Sequence, residues 1–159
     1  MLKKILSGES CAKCRVCCVF DRDDEWEIPL ISRELADYIR ENFEGEYSVK
    51  ARKNSFVFDM KYDEDGLTRC PMLTQTGCRL GDSKPFDCKI WPLRVMRLDD
   101  MLAITLSPVC DCVSSLPLKQ LSDFVNSGIG DAIYKAAEKM PDMIKEYIDG
   151  YPILAVRKA

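Results

Sequence analysis

Histidine is absent from this chain of 159 residues, and no long apolar run occurs in it. Without histidine a metal site has no imidazole donor, and hydrolysis by a Ser-His-Asp triad is excluded. Any general base would have to be a carboxylate, lysine, tyrosine or thiolate. A membrane helix needs roughly 18 or more apolar residues in succession, so no membrane partner is expected. Met1-Leu-Lys-Lys-Ile-Leu-Ser7 opens like a signal peptide, but Gly8-Glu9-Ser10 interrupts it before an apolar stretch of about 7 residues develops. The formal charge is only −3, with lysines and arginines scattered along the chain, so the electrostatic footprint of a nucleic-acid binder is missing too. These absences together imply a cytoplasmic protein with neither nucleic acid nor membrane as a partner.

What the chain does have is nine cysteines within an otherwise ordinary composition, 47% hydrophobic and 31% charged. A chain of this size buries about two thirds of its unfolded surface, so cysteines are not needed to rescue a small core. Cytosolic thiols stay reduced, and clusters of them there mean metal or catalysis more often than disulfides. Cys17 and Cys18 pair poorly in any case, because adjacent α-carbons lie about 3.8 Å apart, below the usual disulfide range starting at about 4.4 Å.

Periodicity predicts an amphipathic helix over 32–43, with Ser32 as cap and Leu35, Tyr38, Ile39 and Phe43 on one face, ended by Gly45. The aromatic and β-favouring run 55–62 reads as a strand, with the turn residues 63–66 opening a hairpin after it. Residues 69–92, punctuated by cysteine, proline and glycine, read as a loop organised around something other than a hydrophobic core. A second hairpin follows, 93–98 and 101–106 around Asp99-Asp100, leading to Cys110 and Cys112 in an extended segment where both point to one side. Helices are expected over 117–125 and 131–148, with Pro141 stopping or kinking the second, and a short strand over 153–156. With no repeat or linker, residues 1–159 form a single α+β domain with irregular cysteine-rich metal-binding loops, short antiparallel hairpins and C-terminal helices.

Four cysteines fall in Cys11-Ala-Lys-Cys14-Arg-Val-Cys17-Cys18. A Cys-x-x-Cys step lets two thiolates on one tight turn reach a single metal, as in zinc sites and iron-sulfur loops. Cys11, Cys14 and Cys17 reproduce the run that opens a ferredoxin-type loop, in which a remote cysteine followed by proline completes the cluster, and Cys70-Pro71 is available for that role. Cys18, Cys78, Cys88, Cys110 and Cys112 supply further thiolates, enough with the others for two four-cysteine sites. Lys13, Arg15, Arg69, Arg79 and Lys89 flank cysteines, where they either lower thiol pKa or are simply solvated surface charges. Asp21, Asp23, Asp24 and Glu25 lack the spacing of a calcium loop and read as a solvated acidic turn. Trp26, Phe56, Phe58 and Trp91 read as core.

The full set of motifs resembles the CxxCxxCC or YkgJ-like cysteine-cluster family, described as zinc- or iron-chelating proteins. Its pattern of Cys-x-x-Cys-x-x-Cys-Cys, Cys-Pro-x-Leu, Gly-Cys, Arg-Pro-x-x-Cys and a final proline is matched by Cys11 to Cys18, Cys70-Pro-Met-Leu73, Gly77-Cys78, Lys84-Pro-Phe-Asp-Cys88 and Trp91-Pro92. Lysine stands at Lys84 where the family has arginine, and Gly81 stands near a usual aromatic position. The resemblance implies metal binding by cysteine. A related module in flagellin lysine N-methylases makes a protein-modifying activity a minor alternative, although no Gly-rich methyl-donor turn is present here.

Two principal expectations follow. One is an iron-sulfur protein, 4Fe-4S, in electron transfer or redox enzymology with a partner protein, with Cys11, Cys14 and Cys17 plus a later cysteine as ligands. The other is a zinc-binding structural or adaptor protein with one or two four-cysteine sites. A third reading, a Cys11/Cys14 thiol oxidoreductase, needs a thioredoxin-like strand before Cys11, for which only ten residues are available.

Overall fold

The cysteine run folds as helix and turn in the computed structural model of the chain, which describes residues 1–45 and 47–159. Gly8–Cys14 form α1, a helix without a buried residue, and Val16–Cys18 form a 3-10 turn. Periodicity cannot announce such an element, because it has no apolar stripe. The chain divides into two compact units, residues 8–88 and residues 1–7 with 89–159, and its fold class is α+β.

In the first unit, β1 (Val19–Asp21) leads into a 3-10 stretch Arg22–Glu27 and then α2 (Arg33–Asn42). Ser32 caps α2 as expected, its hydroxyl accepting the Leu35 N–H at 3.2 Å. The helix ends at an extended Phe43, two residues before Gly45. Next come β2 (Val49–Arg52) and β3 (Ser55–Phe58), paired antiparallel around Lys53, whose φ is 50°. The strand expected over 55–62 therefore stops at Phe58, and its hairpin partner lies before it rather than after it. The turn at 63–66 serves β4 (Leu67–Arg69), which pairs antiparallel with β1. A two-residue hairpin follows, β5 (Leu73–Thr74) with β6 (Gly77–Cys78), then α3 (Phe86–Ile90), within which the chain leaves this unit.

Ile31, Ala36, Ile39, Phe58, Met72 and Leu80 make the core of this unit, with Cys70 and Cys78 packed against it. The segment 69–92 thus does more than wrap a site: Met72 is fully buried and Leu80 nearly so. Phe58 is buried and Trp26 and Phe56 are half-buried. Asp21, Asp23, Asp24 and Glu25 are exposed, and the Asp21 carboxylate accepts the Asp23 N–H at 2.9 Å, capping its own turn.

The second unit holds β7 (Leu93–Leu98) and β8 (Met101–Leu106), the hairpin expected around Asp99-Asp100, with Asp99 at φ 53°. Then follow α4 (Asp111–Ser114), α5 (Leu118–Phe124) and α6 (Gly130–Lys139). A π turn, Val125–Ile129, separates α5 from α6 where Gly128 adopts φ 115°, a conformation open to glycine. Pro141 stops the last helix instead of kinking it, and residues expected to continue it form a 3-10 turn and β9 (Lys145–Glu146). The final strand, β10 (Ile153–Lys158), completes a sheet of order β10-β8-β7-β9. Leu93, Met96, Ile104 and Leu106 of the sheet and Leu121 and Ile133 of the helices are among the fully buried side chains of this unit, and Trp91 is buried as expected. Among the described residues no helix is long and apolar enough to cross a membrane.

Candidate metal centre

Seven of the cysteines belong to the first unit, delivered by four separate pieces of chain. Cys11 and Cys14 lie on α1, Cys17 and Cys18 on the 3-10 turn, Cys70 just after β4 and Cys78 on β6, and Cys88 in α3. Among the described residues, none of the cysteines forms a disulfide.

Backbone pairing brings the turn bearing Cys17 and Cys18 together with the segment bearing Cys70. β1 lies against β4, and the Cys70 N–H donates to the Cys18 carbonyl at 2.8 Å, one step beyond the Val19–Arg69 pair. Cys70-Pro-Met-Leu73 then closes a β-turn, the Leu73 N–H donating to the Cys70 carbonyl at 2.9 Å. Proline second in the turn supplies the required φ. The β5–β6 pairing sets Leu73 opposite Cys78, and the Arg79 N–H bonds the Met72 carbonyl at 2.8 Å. Cys88 follows Asp87, a buried carboxylate that accepts the Leu30 N–H at 3.0 Å and ties α3 to the segment before α2.

The thiols sense one another. The hydrogen bond with Cys17 and partial burial push the Cys11 thiol far above its ordinary value, while the charge of Lys84 opposes them. Cys17 is lowered by its hydrogen bond from Cys11, but the hydrogen bond to Cys18, burial and the Cys18 charge outweigh that and raise it to about 12. Burial raises Cys70 to about 11, helped by the charges of Cys78 and Cys17 and opposed by N–H groups of Met72 and Leu73 directed at its sulfur. Burial, then the charges of Asp87, Cys70, Cys17 and Cys78, push Cys88 well up. Cys70 and Cys88 are therefore in electrostatic reach of Cys17 and Cys78, whose charges make thiolates at Cys70 and Cys88 harder to form unless a cation compensates.

The donor set fits a thiophilic metal by its chemistry: it is soft sulfur throughout, two backbone N–H groups face the Cys70 sulfur, and Lys84 supplies a compensating charge. Spacing sets a further condition. Thiolates around one zinc ion, at about 2.3 Å from it, sit roughly 3.8 Å apart, and among the described residues no three Cys, Asp or Glu side chains stand close enough together to hold one ion.

The other candidates stand elsewhere. Cys14 is exposed on α1. Cys110 and Cys112 belong to the second unit, where they occupy the cap position and first turn of α4 rather than an extended segment. Helical geometry turns them apart, so Cys110 is buried and Cys112 exposed. Three of the five flanking cations have other partners: Lys13 bonds Glu9 at 2.7 Å, Arg79 bonds the Glu44 carbonyl at 3.2 Å and lies over Phe43, and Arg15 bonds backbone carbonyls. The cation that acts on the thiols is Lys84, which no Cys-neighbour rule selects; its only signal was its place in the Lys-Pro-Phe-Asp-Cys88 step.

In comparisons with known proteins, no family model matches the chain, and neither a curated protein nor a solved structure does.

Proposed function

We propose that this protein carries a thiolate-bound metal centre, an iron-sulfur cluster of the 4Fe-4S kind, and passes electrons to or from a partner protein in the reducing environment of the cytoplasm. The observation that carries the proposal is that Cys70 and Cys88 lie within reach of the charges of Cys17 and Cys78, all four coming from separate pieces of chain. Bringing half-buried thiols together where the charges of neighbouring sulfurs raise Cys70 and Cys88 has no benefit to the fold alone, whereas a cation in their midst reverses the electrostatics. The Cys11, Cys14, Cys17 run and the Cys70-Pro71 step, as in a ferredoxin-type loop, favour iron-sulfur over zinc. The resemblance to the CxxCxxCC family is consistent with this reading and is part of the proposal.

When bound, the cluster would supply one-electron chemistry. The protein's part is to hold and tune it. Cys17, Cys70, Cys78 and Cys88 are the core donors, with Cys11 hydrogen-bonded to Cys17 and Cys18 beside it. The N–H groups of Met72 and Leu73 aimed at Cys70, together with the Lys84 ammonium, stabilise negative charge on sulfur and so raise the reduction potential. Protein purified without oxygen should be brown, absorb near 400 nm and contain iron and acid-labile sulfide. Colourless protein with stoichiometric zinc would overturn the iron-sulfur assignment and leave the four-cysteine zinc site in its place.

A further inference from the structure

We infer that Arg15 is the positioning residue of this centre: its guanidinium clamps the cysteine run to the β5–β6 hairpin and so holds Cys11 against Cys17. The inference rests on the metal-centre reading for its function, but the clamp is a feature of the chain itself.

Arg15 stands between α1 and the 3-10 turn with φ 59° and ψ 3°, a left-handed conformation that non-glycine residues adopt only under strain. The reversal it creates is what lets one short run present Cys11 from a helix and Cys17 from a turn to each other. The Arg15 N–H donates to the Cys11 carbonyl at 3.2 Å, closing α1, and the Cys18 N–H donates to the Arg15 carbonyl at 2.9 Å, opening the turn. The side chain then secures the bend. Its Nε donates to the Ala12 carbonyl at 2.8 Å, at the C-terminal end of α1 where a cation is favoured, and its Nη2 donates to the Gln75 carbonyl at the tip of the hairpin.

The hairpin is shaped to receive it. Gly77 has φ 125°, and a Cβ there would lie 3.8 Å from the Ala12 side chain, so α1 rests closely on the strand that carries Cys78. Thr74 stiffens the same tip, its hydroxyl donating to the Gly77 carbonyl at 2.8 Å. One planar fork thus joins the segment bearing Cys11 and Cys17 to the segment bearing Cys78. A lysine, with one compact ammonium, bridges two carbonyls less well.

The test uses Arg15→Gly, which keeps the backbone conformation without strain while deleting both side-chain bonds, and Arg15→Lys as the partial rescue. With the fold checked by circular dichroism, Arg15→Gly should release its metal to a chelator about tenfold faster than the unaltered protein, with Arg15→Lys in between. A second arm needs no metal. In chelator-treated protein, diamide takes two hydrogens and two electrons from Cys11 and Cys17, leaving a disulfide and a hydrazine product. Mass spectrometry, with Cys11→Ser as blank, should show this pair closing several-fold more slowly in Arg15→Gly. Equal cross-linking rates in the two proteins would overturn the inference, as would equal metal release. If the unaltered protein holds no metal, the metal-centre reading fails and the cross-linking arm alone decides the clamp. Should Arg15→Gly not fold, Arg15→Asn, which also tolerates this φ, carries the same measurements.

Discussion

The Cys70 N–H and the Cys18 carbonyl are joined by a 2.8 Å hydrogen bond that prolongs the β1–β4 ladder to the edge of the thiol cluster. Two motifs far apart in sequence are therefore held together by backbone pairing.

Single Cys→Ala changes at Cys70, Cys78 or Cys88 should each reduce bound metal to less than half of that in the unaltered protein, measured per chain by elemental analysis. Retention of full metal content in all three would sink the proposed centre. Loss of the metal should also destabilise the fold, since a ligand bound only by the native state stabilises it by mass action.

The metal-free protein should lose stability as pH rises above about 9. Cys70 and Cys17 have native-state pKa values raised to about 11 and about 12 from 9.0, so between those limits the unfolded chain has released protons that the native chain still holds. Stability contributed by keeping these thiols neutral is complete below pH 9 and falls through the window up to 11 or 12, by no more than about 3 kcal/mol for Cys70. Denaturant midpoints at pH 8 and pH 10 should show the drop, and an unchanged midpoint would contradict it. Metal, which displaces those protons, should bind more tightly as pH rises.

Met72→Ala should cost about 3 kcal/mol, because Met72 is fully exposure-free in the core that backs the Cys70 turn. Metal affinity should fall with it, since the Met72 and Leu73 N–H groups would no longer be held toward the Cys70 sulfur. Chemical denaturation and metal competition read the two effects separately.

Ser32→Ala provides the contrast. Removing the α2 cap should cost about 1 kcal/mol by loss of the 3.2 Å bond to the Leu35 N–H, with metal content unchanged. A loss of metal in this variant would mean that any destabilisation of the unit empties the site, and that the Met72 effect is not local.

Local rules served well where the structure obeys them locally. Ser32 and its apolar stripe made α2 legible, and the largely apolar runs on either side of the Asp99-Asp100 turn made β7 and β8 legible. They failed where an element has no buried stripe, as in α1, and where a strand pairs with the segment before it rather than the one after it, as β3 does with β2.

The opening absences and the nine thiols are properties of sequence alone, and so is the chemistry they imply: no imidazole, soft sulfur donors, Cys-x-x-Cys steps able to reach one metal. Which thiols meet was left to the tertiary structure. It placed Cys17, Cys70 and Cys78 where their charges act on Cys88, put Cys110 and Cys112 at the cap and first turn of a helix of the other unit, and made Lys84 rather than the cysteine-flanking cations the positive charge that acts on Cys11 and Cys17. The physical reason is that donor type is a property of each residue, whereas electrostatic reach depends on distances set by strand pairing and turns across the whole unit.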